Sequence, residues 1–467
     1  SAQALEDHAR HSGVHAAGVI VATQPLDSII PLCTVAGGDD VVTQWDGPTC
    51  EKIGLLKMDF LGLRTLSTIE RARELIFASL SEEGIWQAVN TEMGEGTHPL
   101  DLERIKYDDQ RVFDLFRRGD TSGIFQFESG GMKKLLVEMQ PDRLEDLIAA
   151  NALFRPGPMD LIPDYNARKH GERAVPKVHE IVDRHTAETY GVMVYQEQVM
   201  QVLHELGDIP LRVAYTIIKA ISKKKHSVID SARDTFLKGA AVRGVPDWQA
   251  GELFEHILKF AGYGFNKSHS TGYAIVAYHT AYLKTYFPNQ YMAALLSFES
   301  QAKKVEDWVP YLEECRRVPF PDATESAPHV GVEVRPPDIN LSDEDFSVVF
   351  GAEEEVTSCT GHVRFGLQAI KGIPREAIRG VVCERKSKGA FKSLHEFCER
   401  IDHSKTNQKA CESLIRAGAL DSIHGLESRA AMVSALSDAY AAGRSFADDR
   451  SRGQNMLFGG GQEEESV

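Results

Sequence analysis

Along the first seventy or so residues, short runs of β-branched and other apolar residues alternate with turn residues, at Gly18–Val21, Ile29–Leu32 and Val41–Asp46. That alternation predicts strands joined by tight connections. Next, Gly54–Leu63 forms an apolar strand pattern carrying Lys57 and Asp59 two positions apart, hence on one face. From about Arg64 to Pro319 the period becomes that of amphipathic helices, as in Thr65–Ile76. Within it, Gly123–Lys134 couples a β-type run to a glycine turn and two lysines. In Arg212–Lys225, Ile217, Ile218 and Ile221 form an apolar stripe, while Arg212, Lys219 and Lys223, seven and four residues apart, line another face. Tyr278, Tyr282 and Tyr286 recur every four residues and are expected in the core. Proline and charge at Arg316–Pro321 open a turn-rich linker ending near Asp345, where Asp343-Glu344-Asp345 is expected as a solvated loop. Beyond it, Leu367–Ile378 and, more weakly, Leu414–Asp421 pair two helices about a glycine turn. The expected fold is α+β, mostly α, divided at 1–70, 71–325, 326–445 and a flexible tail at 446–467.

Composition narrows the function classes. The 467 residues leave room for about two to four domains. No apolar run is long enough to cross a bilayer and no charged-then-apolar leader opens the chain, so a cytoplasmic protein without membrane contact is expected. Seven scattered cysteines without a Cys-x-x-Cys pair suggest neither a zinc knuckle nor a disulfide framework. A formal charge of −16 means that any nucleic-acid contact must come from local basic patches. Ser1 in place of an initiator Met leads to the expectation of a fragment, a processed product or half of a split protein.

Against that background the 259–273 run stands out. Gly262 and Gly264 allow positive φ and close approach to a ligand, Asn266, Lys267, Ser268, His269 and Ser270 offer five consecutive polar side chains, and Tyr263, Phe265 and Tyr273 flank them. The alternative is a polar loop capping the next helix, with Ser268 or Ser270 as N-cap. Asp59 is likewise open to two readings, an ion pair with Lys57 or a cation ligand, since a lone buried carboxylate is costly. The rigid Phe154–Pro158 turn presents Arg155, either solvated or on a phosphate, and Lys133 and Lys134 follow their glycine turn. At the first hairpin, Gly372 and the backbone N–H groups around it suit a phosphate at a helix N-terminus, with Lys371, Arg375 and Arg379 adding charge. In the tail, Gln454, Met456, Leu457 and Phe458 have the form of a short linear motif.

Together these motifs resemble the alpha subunit of bacterial DNA polymerase III, the C-family replicative DNA polymerase. Lys57–Leu63 resembles the palm segment with the third catalytic aspartate, and His15–Gly18 and Thr43–Asp46 the sequence just before it. Gly123–Lys134, Tyr190–Met200 and 259–273 resemble the fingers, the tandem hairpins the duplex-binding repeat, and 454–458 the sliding-clamp peptide. The resemblance implies a nucleotidyltransferase-like palm, of which 1–70 is the C-terminal part, then fingers over 71–325 and a linker with hairpins over 326–445. It implies addition of dNTPs to a primer 3′-OH by two Mg2+ ions held on three carboxylates. Asp59, helped by Lys57, would be one of them; the Asp-x-Asp pair lies upstream of Ser1, and neither Asp39-Asp40 nor Asp108-Asp109 substitutes. One third of a metal site and no independent polymerisation are therefore expected. The incoming nucleotide falls to Lys219, Lys223, Tyr263, Asn266, Lys267, Ser268 and His269, and DNA to Arg155, Lys133, Lys134, Lys371, Gly372 and Arg375. Ile218 and Lys219 stand where the family usually has two arginines, which leaves one cation without the bidentate fork. Implied partners are primer–template DNA, dNTPs, the sliding clamp, other replicase subunits and the missing palm portion, in cis or trans. Two other readings stay open, a noncatalytic DNA- and clamp-binding scaffold and the family's error-prone paralogue.

Overall fold

The computed structural model describes residues 13–35, 37–222 and 226–451, so Lys223 and the clamp-type motif at Gln454, Met456, Leu457 and Phe458 lie outside the described residues. Contacts divide the chain into two units, Ser1–Arg64 and Thr65–Val467. In the first, β1 (Gly18–Val21) pairs antiparallel with β4 (Leu56–Asp59), and β2 (Leu32–Thr34) with β3 (Val41–Thr43). The register sets Gly18 opposite Asp59 and Ile20 opposite Lys57. A short helix, Gly47–Lys52, brings Cys50 into a small core with Ile30 and Leu55. The expected Ile29–Leu32 strand needs correction. The Ile29 and Ile30 N–H groups donate back to the Leu26 carbonyl at 3.0 and 2.9 Å, so the chain turns there and extends only from Leu32.

The second unit is mostly helical, as the 3.6-residue period predicts. Its centre is the 20-residue helix Lys267–Tyr286, packed on Leu144–Leu153 and Gln110–Arg118. The tyrosine stripe is buried, and it carries hydrogen bonds: the Tyr278 hydroxyl accepts from Asp109 N at 3.1 Å and the Tyr286 hydroxyl donates to Asp109 Oδ2 at 2.6 Å. A separate core joins Gln196–Glu205, Leu211–Ser222, His226–Val242 and Asp247–Ala261 around Ile217, Ile218, Phe236 and Phe254. Among the described residues no helix is long and apolar enough to cross a membrane.

Three expectations change here. The β-type run at 123–127 is a pair of turns: Thr121 Oγ1 donates to the Phe127 carbonyl at 2.6 Å, and Gly123 and Gln126 take φ of 77° and 66°. Ile124 and Phe127, three residues apart, thereby both reach the core. The 316–345 stretch is no free linker. Val318, Phe320 and Val332 are buried, and β5 (Val334–Arg335) lies parallel to β7 (His362–Arg364), which also pairs antiparallel with β6 (Ser347–Val349). That small sheet packs on the Pro288–Ala302 helix, and Ile339 inserts into the hairpin core with its N–H on the Ala419 carbonyl at 2.6 Å. Asp343, expected in a solvated loop, pairs with Arg385 and Lys386 at 3.2 and 2.9 Å. Finally, the first hairpin opens with a single 3-10 turn, Leu367–Ala369, in place of a helix. Its turn and second helix follow the expected pattern: Gly372 takes φ 84°, Ile373 is buried, and Arg375–Lys388 is helical. The second hairpin runs from Gln408–Arg416 through Gly418 to the short helix Asp421–His424.

Candidate nucleotide and nucleic-acid sites

On β4, Lys57 and Asp59 project from one face of the strand and are joined by a hydrogen bond between the ammonium and the carboxylate. His15 Nδ1 lies 3.8 Å from Asp59 Oδ1. Gly18, opposite Asp59, makes this grouping possible, since a Cβ there would sit 2.7 Å from His15 Nδ1 and 3.3 Å from Asp59 Oδ1. The Asp59 side chain is 45% exposed, so the penalty for burying a lone carboxylate does not arise. The hydrogen bond from Lys57 holds its carboxyl below the ordinary carboxylate value, and it is ionised at neutral pH. The ion pair is thus formed, and the carboxylate still faces solvent. Among the described residues no group of three or more His, Cys, Asp and Glu side chains is placed to hold a metal ion.

The 259–273 run is built differently from its expectation. Neither Gly262 nor Gly264 has positive φ. Gly264 is small for a packing reason, because a Cβ would meet Gln196 Cγ at 3.0 Å. The N-cap is Asn266, whose Oδ1 accepts from His269 N at 2.8 Å, and not Ser268 or Ser270. Ser270 is fully buried and donates to the Ile148 carbonyl at 2.7 Å, so it is turned away from any ligand. Lys267 is held as well, its Nζ 2.7 Å from Glu188 and its backbone N–H on the Glu197 carboxylate at 3.0 Å. Asn266 Nδ2 also donates to Glu197 at 3.0 Å. A protein carboxylate therefore already occupies this helix N-terminus, an arrangement favoured by the helix dipole. Among the nucleotide candidates of this run, Tyr263, Asn266, Ser268 and His269 are exposed, and of these Asn266 is already engaged by Glu197.

Glu188, Gln196 and Glu197 were not singled out from sequence as site residues. The Gln196 N–H donates to the Phe265 carbonyl and its Nε2 to the Gly264 carbonyl, both at 2.9 Å. The Tyr190–Met200 and 259–273 stretches thus form one structure. Partners about 70 residues apart leave no local pattern to find.

The expected cations are dispersed. Arg155 donates from Nε to the Ala152 carbonyl at 2.8 Å and from Nη2 to the Tyr263 carbonyl, and its guanidinium lies 4.4 Å from the Phe265 ring centroid. Burial pulls its pKa below the ordinary value. Lys133 Nζ donates to Ser122 Oγ at 2.6 Å, while Lys134 is exposed with Glu138 at 3.8 Å. Lys219 is exposed on Leu211–Ser222, its Nζ 4.5 Å from the Tyr215 ring centroid, and Ile218 beside it is buried in the core. At the first hairpin, Lys371 and Gly372 face solvent, and Arg375 and Arg379 lie 4.0 and 3.5 Å from Glu344.

Comparison with known proteins follows the same order along the chain. Residues 1–62 match the model of the bacterial DNA polymerase III alpha NTPase domain, 83–244 that of the bacterial DNA polymerase III alpha subunit finger domain, and 331–432 that of a helix-hairpin-helix motif. The 259–273 run lies past the finger match, within the stretch that whole-chain relatives cover. The DNA polymerase III subunit alpha of Thermus aquaticus is 39% identical over 98% of this chain and 34% of its own length. That of Deinococcus radiodurans is 39% identical over 98% of this chain and 32% of its own, and that of Saccharopolyspora erythraea 37% over 99% and 36%. The chain spans about a third of the length of the curated relatives it matches. Relatives that align along nearly all of it, and domain models of one protein met in chain order, show that the chain belongs to the bacterial DNA polymerase III alpha subunit family.

Proposed function

We propose that this chain supplies the third palm aspartate, the fingers and the duplex-binding hairpins of a replicative DNA-directed DNA polymerase that adds dNTPs to a primer 3′-OH. The observation that carries the reading is Asp59, an ionised, solvent-facing carboxylate on a strand of the NTPase-type segment, with finger and hairpin segments following in order. The palm-type nucleotidyltransferase architecture of 1–70 belongs to this proposal. A divalent ion, Mg2+ in this reading, would stabilise charge at the transferring phosphoryl group. Asp59 fits as one oxygen ligand, and the described residues do not by themselves build the rest of such a site. Lys219, Ser268 and His269 serve the incoming nucleotide. Lys267 and Asn266 fit a supporting role better, since both are tied to Glu188 and Glu197.

In this reading the hairpins grip the duplex through phosphates. Lys371, which has no ion pair among the described residues, and Arg375, held loosely by Glu344, flank the Gly372 turn at the start of a 14-residue helix. Lys371→Ala with Arg375→Ala is expected to weaken duplex binding uniformly across sequences and to reduce the log–log salt slope by about one for each phosphate no longer neutralised. Fluorescence anisotropy on a primer–template at several salt concentrations checks this, and an unchanged slope would reduce the hairpin to a structural element. The 454–458 peptide is proposed as the sliding-clamp anchor. Gln454→Ala, Leu457→Ala and Phe458→Ala together should remove retention on immobilised clamp, whereas full retention of the triple variant would put the clamp-binding segment elsewhere.

A further inference from the structure

The two hairpins turn on glycines of nearly the same backbone angle, Gly372 at φ 84° and Gly418 at φ 85°, and differ in what covers the turn. At the first, Lys371 and Gly372 are exposed, and among the described residues nothing accepts from the N–H groups of Lys371, Gly372 and Ile373. A Cβ at Gly372 would meet nothing nearer than Ser413 Oγ, at 3.8 Å. At the second, Gly418, Ala419 and Leu420 are all buried. The N–H groups of Gly418, Ala419 and Asp421 are spent on the carbonyls of Ile415, Leu414 and Gly418, at 3.0, 2.9 and 3.1 Å. Arg429, the first residue of the Arg429–Ser451 helix, lies across this turn. Its Nε donates to Asp421 Oδ1 at 2.8 Å and its Nη2 to Oδ2, and a Cβ at Gly418 would come within 2.8 Å of its Cζ.

A backbone phosphate needs unspent donors and a cation within reach. The first turn has both. The second has neither, since its amides are bonded and the guanidinium lying on it is neutralised by Asp421. What the second hairpin does present is one face of its first helix, Gln408–Arg416. Ser413, the neighbour of Gly372, stands on that helix, and Lys409 lies one turn before it on the same face. The Ser413 hydroxyl is itself spent on the Lys409 carbonyl at 3.0 Å. Lys409 is exposed and has no ion pair among the described residues, while Glu412 on the same helix is held by Arg416 at 2.7 Å. A mobile cation therefore stands beside the one turn whose amides are free.

We propose that the duplex is gripped by one turn and not by two: its phosphates lie on the first hairpin turn and on Lys409, while the second turn, closed by Arg429, clasps the helix that precedes the 454–458 peptide. This division rests on the duplex-binding reading of the hairpins. It adds Lys409 to the residues that hold DNA and takes the second turn out of them.

Hydrogen exchange read by mass spectrometry, on the whole chain with and without a short blunt-ended DNA duplex, tests the division on unaltered protein, so it stands even where a variant fails to fold. The duplex should slow exchange at 371–373 by about ten-fold, the effect of one charge-assisted hydrogen bond, and leave 418–421 unchanged. Lys409→Ala should lower the log–log salt slope of duplex binding by about one. Arg429→Met should leave that slope alone and lower the midpoint of urea unfolding. Slower exchange at 418–421, or a smaller slope in Arg429→Met, would put DNA on the second turn and overturn the division. An unchanged slope in Lys409→Ala would remove Lys409 from the grip, and an unchanged midpoint in Arg429→Met would remove the clasp. Exchange unaltered at both turns while the duplex is bound would overturn the duplex-binding reading of the hairpins, and the division with it.

Discussion

Asp59→Asn in the full-length polymerase, or in this chain combined with the rest of the palm, is expected to cut primer extension by about 10³-fold or more while primer–template affinity stays unchanged. The argument is one of charge. Asparagine keeps the size of the side chain and an acceptor for Lys57, so β4 and its pairing with β1 should survive. What disappears is the negative charge with which Asp59 would hold the divalent ion that stabilises charge at the transferring phosphoryl group. DNA affinity rests on phosphate contacts made by other residues and has no reason to change. Single-turnover extension and anisotropy on the same samples separate the two effects, because an interaction made only in the transition state lowers kcat and kcat/KM together. Turnover near the wild-type level would remove Asp59 from the catalytic assignment.

The parts of this protein legible in its sequence are those whose information is local and repeated. Ile217, Ile218 and Ile221 announce a buried helix face by spacing alone, and all three are in the core. The Tyr278, Tyr282 and Tyr286 stripe does the same. Lys57 and Asp59 follow from the period of a strand. Misreadings arose where a short segment has strand composition and tertiary partners decide otherwise. Gly123–Phe127 looks like a strand, yet the Thr121 hydroxyl and two left-handed residues fold it into turns. Ile339 is one apolar residue in a stretch rich in Pro and Asp, too little pattern to reveal that it plugs the hairpin core. Ser270 carried a usable signal, since it shares a helix face with Ala274 and Ala277, both buried. The engagement of Lys267 by Glu188 carried none, because 79 positions separate them.

A second large effect is expected at Lys284, which sequence shows only as a polar residue near a helix end. Its side chain is 1% exposed, and Nζ donates to the Asp120 carbonyl at 2.8 Å, to the Ser122 carbonyl at 2.9 Å and to Glu314 Oε1 at 2.6 Å. All three ammonium protons are thereby used. Burial pulls its pKa below the ordinary value, and the Glu314 carboxylate opposes that shift. One side chain thus ties the Lys267–Tyr286 helix to the 120–122 turn and to the Val305–Cys315 helix. Lys284→Met should strand a largely buried carboxylate and two carbonyls, at a cost of about 3–5 kcal/mol. Folded domains are stable by only about 5–15 kcal/mol, so this is a large fraction of the total. Adding Glu314→Leu removes the stranded charge and should restore part of the loss, because an apolar replacement of a buried pair is tolerated better than a broken one. Urea unfolding followed by circular dichroism on the two single variants and the double measures the coupling. A wild-type midpoint for Lys284→Met would show that the pair contributes nothing.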